Sequence, residues 1–368
     1  MTAPHDPATA KAYNRTKLLI TVSSSLLSLL FLLLLLLSGW SSLLEQLATS
    51  LTPHPLMAFL LFVLAVALLE GILTVPFAFA SGFVLEHRYG LSNQTFPRWL
   101  CEQAKGYLVS LPVVLLVLVT IFLCLTHFGH LWWLPVAGAL TLLSVILARL
   151  APVLIMPLFY KFTPLGDETL KGRILDLSSR AGVSVAGIFT FDLSKNTRKA
   201  NAGFTGIGRT RRIILGDTLL SEFPAEEVET IFAHELGHYV HRHIRNGIFI
   251  GILLTFAGLF ITAQLYERSL ALFGFAQITQ LAAMPLLGLW LSAFGIVTAP
   301  LSNALSRHQE RQADSYAVRT TGGKEAFISA LRRLGAMNLA DTAPHPLVEF
   351  LFYSHPSIGR RIQAVESQ

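Results

Sequence analysis

The sequence predicts a mainly α-helical membrane protein, in which a bundle of about six membrane-spanning helices carries a smaller α+β domain. Of its 368 residues, 53% are hydrophobic and only 14% are charged, which is unusual for a soluble protein. Six apolar runs each contain about 20 residues or more, which is long enough for a helix to cross a bilayer. The runs are 17–38, 57–83, 107–127, 131–158, 247–265 and 281–303.

Basic residues predict how these spans are oriented. Lys11, Arg15 and Lys17 precede the first span, 39–56 contains no Lys or Arg, and basic residues are dense again across 161–245. Because Lys and Arg concentrate in cytoplasmic loops, both termini are predicted to be cytoplasmic. The same loops account for the net charge of +6, so no nucleic-acid partner is expected.

The segment after the fourth span has the pattern of a small α+β domain. Residues 167–181 carry apolar side chains at i, i+4 and i+7, the spacing of an amphipathic helix. Two β-rich stretches bounded by Gly and Asp predict strands, and a further helix is expected to begin after Pro224. The strands are expected at 184–192 and 211–216, and the helix at 225–244.

Two domains follow from this division. A membrane domain with four spans occupies 1–158, and a second domain occupies 159–368. The second domain is interrupted by spans at about 247–265 and 281–303, and it is expected at the cytoplasmic face.

An H-E-x-x-H motif lies in the predicted helix 225–244. At this spacing His234 and His238 share a face and can bind one metal ion, while Glu235 can take a proton from a bound water. Three protein ligands, an open position and a carboxylate base are typical of zinc peptidases. Chance alone produces such a pentapeptide in roughly one chain of this size in a hundred, so the motif needs further support.

A third ligand is expected from a later helix. The extended motif H-E-x-x-H-x-x-G-x-x-H does not apply, because His241 and Ile244 stand where it requires Gly and His. His241 and His243 are instead expected at the surface or the membrane interface. Glu310 can complete the metal site, and Asp314, one turn further on, can hold the second nitrogen of a ligating histidine. The alternative is a solvated face on which Arg307, Arg311 and Asp314 form ion pairs.

Five segments together resemble the integral-membrane zinc metalloproteases typified by the type I CaaX prenyl proteases. The resemblance extends over nearly everything from about residue 57 onward, and the compact length favours a prokaryotic member. The segments are FVLEHRYGLSNQT at 83–95, MPLFYKFTPL at 156–165, KANAGFTGIGRTRRIILGDTLL at 199–220, HELGHYVHRH at 234–243, and SRHQERQAD at 306–314 followed by YSHPSIGRRI at 353–362.

The resemblance implies a gluzincin-type zinc-peptidase domain that binds one Zn²⁺ per chain, and it implies roles for individual residues. Substrate backbone is expected to pair at Asn201, Ala202 and Gly203, along a strand edge at about 203–206. His355 and Arg361 are expected near the zinc, as catalytic residues that stabilise the oxyanion. The metal ligands would be His234, His238 and Glu310, with Glu235 as general base and acid.

Two features depart from the eukaryotic members of that family. Tyr239 stands where they tend to carry Trp, and six spans are counted here against their seven. The spans of that family enclose a water-filled chamber. With one span fewer, the chamber is expected to be smaller or more open, which would change how substrate enters.

The function expected from the sequence is that of a membrane-embedded zinc-dependent endopeptidase. Its partners would be membrane lipid and a peptide or protein substrate, with the C-terminal region of prenylated CaaX-type proteins as one candidate. In a prokaryote its location would be the plasma (inner) membrane. Two alternatives stay open: a general quality-control protease for membrane proteins, and a non-enzymatic scaffold or transporter with a structural metal site.

Overall fold

The computed structural model describes residues 6–205 and 212–368, and most of these are helical. Among them, six helices are long and apolar enough to cross a membrane, in agreement with the six predicted spans. They are Pro7–Leu37, Pro55–Arg88, Phe96–Leu131, Trp133–Phe159, His243–Ser269 and Leu281–Thr321.

The first four spans form the N-terminal half of the bundle. Helix α1 (Pro7–Leu37) begins at Asp6, whose carboxylate accepts a hydrogen bond from the Ala8 amide. The 12-residue α2 (Trp40–Leu51) is about 18 Å long and too short to cross the ~30 Å core. The remaining helices here are α3 (Pro55–Phe79), α4 (Leu85–Arg88), α5 (Phe96–Phe128), α6 (Trp133–Leu150) and α7 (Met156–Phe159).

Two of these spans contain a π-helical turn. Ala80–Val84 joins α3 to α4, and Ala151–Ile155 joins α6 to α7, so each pair forms one continuous span. Many large apolar side chains on the spans are exposed, which fits a surface that faces lipid rather than water. Inside the bundle, Trp132 and Tyr266 are fully buried at the centre of an apolar cluster.

The soluble part contains a four-stranded sheet in the order β1-β2-β4-β3. β2 and β4 run parallel, whereas β1 and β3 are antiparallel to their neighbours. The predicted strands are confirmed as β2 and β4, although residue 211 lies outside the described residues. The strands are β1 (Phe162–Pro164), β2 (Gly187–Phe191), β3 (Ala202–Thr205) and β4 (Arg212–Gly216).

The predicted amphipathic helix is confirmed as α8 (Glu168–Arg180), which covers one face of the sheet. Its apolar stripe, Leu170, Ile174 and Leu177, is buried in the same core as Ile213 of β4. The remaining helices are α9 (Asp217–Glu222), α10 (Ala225–Val240), α11 (His243–Ser269), α12 (Met284–Thr321), α13 (Lys324–Met337), α14 (Pro346–Phe352) and α15 (Ile358–Glu366).

The helix expected at 225–244 is shorter than predicted. α10 begins after Pro224 as expected, but it ends at Val240, and a new helix begins at His243. Between them Arg242 adopts φ of 58°, a left-handed conformation that an α-helix cannot continue through. The chain therefore changes direction immediately after the H-E-x-x-H motif.

Candidate active site

α10 and α12 cross where the H-E-x-x-H motif meets the predicted third ligand. The Nε2 atoms of His234 and His238 lie 3.2 Å apart on one face of α10. From α12, Glu310 places Oε2 3.3 Å from the His234 Nε2 and Oε1 3.2 Å from the His238 Nε2. These three side chains form a group that can hold a metal ion. His234 and Glu310 are buried, as a site shielded from bulk water requires.

A glycine allows the two helices to approach this closely. A Cβ atom on Gly237 would lie 3.0 Å from the Cα of Ala313 and 3.1 Å from the Cβ of Tyr316, both on α12. Such contacts are too short for a side chain without movement of backbone. Gly237 therefore sets the distance at which Glu310 faces the two histidines.

Asp314 lies behind the site, against the outer nitrogen of His234. Its Oδ1 is 2.8 Å from the His234 Nδ1. Arg361 of α15 donates to Asp314 from Nε at 2.9 Å and from Nη2 at 2.6 Å. Burial opposes the charge of Arg361, but Asp314 outweighs it and raises the pKa of the guanidinium. The alternative pairing of Asp314 with Arg307 is wrong, because Arg307 donates instead to the backbone carbonyls of Glu349 and Tyr353.

Glu235 lines the same cavity as the two histidines, which has a volume of about 300 Å³. Burial raises the pKa of its carboxyl group above the ordinary value. His355 reaches this cavity from the chain between α14 and α15, with Nε2 3.3 Å from the Glu310 Oε1. Because 62% of the His355 side chain is exposed, it is available to a substrate.

β3 borders the cavity as an edge strand of the described sheet. The amide of Gly216 donates to the carbonyl of Asn201, so the backbone groups of Asn201 and Gly203 face β4. In an antiparallel ladder the intervening residues face the other way. The backbone N–H and C=O of Ala202 and Phe204 therefore face away from β4, on the open edge. Of the edge expected at 203–206, residue 206 lies outside the described residues.

Asn338, which was not singled out from the sequence, occupies the start of this edge. Its Oδ1 accepts from the Ala200 amide at 3.0 Å, and its Nδ2 donates to the Ala200 carbonyl at 3.3 Å. The carboxamide thus pairs with Ala200 as a neighbouring strand would. No motif in the sequence marks this contact, because the two residues are 138 positions apart.

The segment 83–95 of the membrane domain holds the chain that leads into β3. Glu86 contacts Lys199 at 2.7 Å, Lys17 at 3.0 Å and the Tyr13 hydroxyl at 2.6 Å. The Leu91 carbonyl accepts from the Arg198 amide at 2.9 Å. The membrane domain therefore fixes the residues immediately before the edge strand.

His243 lies against the metal site, contrary to the prediction of a surface or interfacial residue. It is 5% exposed, and its Nδ1 is 3.1 Å from the Nδ1 of His238. His241 is partly buried, with its ring stacked on that of His243. The prediction failed because it assumed one continuous helix, which would leave His243 on another face.

Two family models match this chain. The family model described as peptidase family M48 matches residues 164–368. The family model described as the CAAX prenyl protease N-terminal region, with five membrane helices, matches residues 3–161. Within 6–161, the structure has four helices long enough to span.

Individual relatives match along most of their length. The metalloprotease YhfN of Bacillus subtilis is 31% identical over 99% of this chain and 86% of its own. CAAX prenyl protease 1 of Saccharomyces cerevisiae is 32% identical over 81% of this chain and 70% of its own. The crystal structure of S. mikatae Ste24p superposes with a TM-score of 0.87 at 26% identity, covering 99% of this chain and 90% of that one.

These matches leave the scaffold and transporter alternatives without support. The site combines an H-E-x-x-H helix, a carboxylate from a later helix and a cavity that contains the motif glutamate. The membrane-spanning chain that carries this site matches these proteases in sequence and in fold. The chain belongs to peptidase family M48 and is a multi-pass membrane metalloprotease, similar to the CAAX prenyl proteases.

Proposed function

We propose that the metal is zinc and that His234, His238 and Glu310 bind it. One observation carries the proposal: the two histidine Nε2 atoms lie 3.2 Å apart, and each faces one oxygen of Glu310 at 3.2–3.3 Å. Tetrahedral zinc with bonds of about 2.0–2.1 Å separates its ligand atoms by roughly 3.3 Å. In addition, the Glu310 Oε2 is buried and makes no hydrogen bond within the described residues, which suits an atom that faces a cation.

Glu235 is the proposed general base and acid. Zinc bound at such a site polarises a carbonyl and lowers the pKa of a bound water to about 7. The Glu235 carboxylate accepts the proton of the attacking water and passes it to the leaving amine. Burial raises the pKa of Glu235, and this higher proton affinity suits a group that takes up and releases a proton.

His355, Arg361 and Asp314 complete the proposed mechanism. His355 is exposed to the cavity, so its ring N–H can donate to the oxygen that gains negative charge as the amide is attacked. Arg361 also lines the cavity, but two of its donors are taken by Asp314. Its proposed contribution is positive charge near the reaction and a fixed position for Asp314, which in turn orients His234.

The edge of β3 is the proposed binding site for the substrate backbone. An extended peptide can pair with the N–H and C=O groups of Ala202 and Phe204, while Gly203 leaves room and Asn201 offers its side-chain amide. Because these are backbone contacts, they orient the scissile amide without selecting a side chain. Asn338 already occupies the next position, Ala200, and so limits how far the paired segment extends.

The proposed substrates are membrane-associated proteins, including prenylated proteins with a C-terminal CaaX sequence. The support is the similarity to CAAX prenyl protease 1 across both halves of the chain and the location of the site beside the spans. The charge pattern supports an active site and both termini on the cytoplasmic side, in the plasma membrane if the host is prokaryotic. General quality-control proteolysis is the competing proposal.

The test is peptide cleavage by the purified, zinc-loaded protein. A farnesylated CaaX peptide is compared with its unmodified counterpart, with Glu235→Gln as the control. We expect faster cleavage of the lipidated peptide and loss of activity by a factor of at least about 10² in the variant. Equal cleavage of both peptides would favour the quality-control role, and full activity of Glu235→Gln would contradict the proposed mechanism.

A further inference from the structure

The turn after α10 brings a third histidine against the metal site. Along a continuous helix, His243 would point about 140° away from His238, because each residue advances by about 100°. The left-handed conformation of Arg242 redirects the chain, and His243 becomes the first residue of α11. Its ring is then buried, edge-on to that of His238, with the ring centres 5.1 Å apart.

The two nitrogens of His238 face different partners. Nε2 faces the His234 nitrogen and the Glu310 carboxylate, whereas Nδ1 faces the Nδ1 of His243 at 3.1 Å. His243 is therefore on the far side of the His238 ring and cannot bind the same ion. It can only act on the metal through His238.

The positions of the protons on His243 and His238 follow from the hydrogen-bond acceptor on Gln312. The Gln312 Oε1 lies 2.8 Å from the His243 Nε2, and a carbonyl oxygen only accepts, so His243 carries its proton on Nε2. Its Nδ1 then has a free lone pair and accepts from the Nδ1–H of His238. With that proton on Nδ1, the Nε2 lone pair of His238 is free for a cation.

We propose that His243, oriented by Gln312, is a positioning residue that holds His238 in the tautomer and ring orientation that bind the metal. This inference rests on the proposed function for the identity of the ion and for His238 as one of its ligands. His234 has the corresponding support from Asp314 and Arg361. The site thus has a charged support for His234, from Asp314 of α12, and a neutral support for His238, from His243 of α11.

The test is the zinc affinity of the full-length protein in detergent, measured by competition with a chromophoric chelator. Loss of a supporting group typically costs roughly 10–100-fold in metal affinity, and we expect this for His243→Leu. In His243→Asn the side-chain oxygen can replace Nδ1 as acceptor, so affinity is expected to return to within about threefold of the unaltered protein. The matched control is His308→Ala, which removes an exposed imidazole from α12.

The Leu and Asn variants separate positioning from packing. Leucine fills the space at least as well as asparagine, so a packing role would favour His243→Leu, and equal loss in both would overturn the proposal. Zinc binding by His243→Leu within twofold of the unaltered protein would also overturn it. The Co²⁺-substituted protein gives a second readout, because a misoriented His238 changes the visible absorption bands.

Gln312 keeps the proposal testable if the His243 variants do not fold. Gln312→Leu removes the acceptor from α12 and is expected to weaken zinc binding, whereas Gln312→Glu retains an acceptor and is expected to preserve it; equal affinities would contradict the proposal. Glu235→Gln should bind zinc normally while lacking hydrolysis. The titration therefore decides the role of His243 even if the proposed peptide cleavage fails.

Discussion

At the scale of single residues, the glycine at the centre of the motif has a geometric role beyond helix formation. Gly237 lies at the crossing of α10 and α12, where a Cβ would meet the Ala313 backbone. Glu310 is one turn before Ala313 on the same helix, so the crossing distance and the ligand distance change together. Position 237 must therefore lack a side chain if Glu310, the proposed third ligand, is to reach the two histidines.

We predict that Gly237→Ala destabilises the protein and weakens metal binding. Overpacking of a close contact costs about 1–3 kcal/mol, which exceeds the helix-propensity gain of about 1 kcal/mol. Thermal unfolding with and without zinc measures both effects. Gly172→Ala on α8, where a Cβ meets nothing within 4 Å, is the control and should be neutral or stabilising. An equally stable Gly237→Ala variant with full zinc affinity would refute this prediction.

The left-handed backbone conformation of Arg242 should affect the stability of the protein. A non-glycine residue in the left-handed conformation costs about 1–2 kcal/mol, and glycine removes that cost while losing about 0.5–1 kcal/mol to chain entropy. Arg242→Gly should therefore be as stable as the unaltered protein or slightly more stable, and Arg242→Val clearly less stable. Melting temperatures measure this, and a marked loss in the glycine variant would show that the Arg242 side chain itself is needed.

The same residue explains what the sequence could not predict at the site. The i, i+4 spacing of His234 and His238 correctly places both on one face, because helical geometry is local. The burial of His243 depends on where that helix ends. An arginine at the turn gives no signal of a left-handed residue, whereas a glycine would have given one.

At the scale of elements, the segment 83–95 of the membrane domain holds in place the residues that lead into the edge strand β3. Glu86 joins Lys17 of α1 to Lys199, three residues before β3 begins. The proposed metal ligands are carried by other elements, α10 and α12. Loss of this contact should therefore disturb peptide binding more than metal binding.

We predict that Glu86→Gln raises KM more than it lowers kcat and leaves zinc affinity unchanged. A hydrogen bond to a charged group contributes about 1.5–3 kcal/mol, so an increase in KM of about tenfold is expected when part of it is lost. Steady-state kinetics on the peptide substrate measure the two constants. Glu102→Gln is the control, because Glu102 pairs with Lys105 within α5. A loss confined to kcat would place Glu86 in the chemical step instead.

The lengths of the helices were predicted correctly for the spans but not for the end of α12. Apolar runs of about 20 residues correctly predict all six spans, because the bilayer core imposes that length. The run 281–303 gives no sign that its helix continues unbroken to Thr321, through Pro300. Proline usually disrupts a helix in water, but neighbouring helices can support it here.

At the scale of the whole molecule, the start of α1, the segment 83–95 and the sheet meet at one end of the bundle. Asn14 of α1 donates to the Leu339 carbonyl, which joins the N-terminal helix to the C-terminal part of the chain. These contacts between distant residues leave no periodic pattern in the sequence. The division into a membrane part and a soluble part was predictable from composition, but the way in which the parts meet was not.

The orientation of the whole chain in the membrane can be tested with reporter fusions. Fluorescent-protein fusions at the C-terminus should fluoresce, because the positive-inside pattern predicts that this end lies in the cytoplasm. Alkaline phosphatase fused at Gly274, in the connection between α11 and α12, should be active on the opposite side. A fusion within α8 is the control for the cytoplasmic side. Phosphatase activity at α8 and none at Gly274 would invert the proposed orientation.

The unbroken length of α12 has a mechanical consequence. One end of this 38-residue rod is immersed in lipid, and the other carries Glu310, Gln312 and Asp314. A bilayer that is too thin or too thick tilts a spanning helix, and a rigid rod transmits tilt to its far end as displacement. We therefore expect the thickness of the host membrane to change the position of Glu310 relative to the two histidines, and with it the activity.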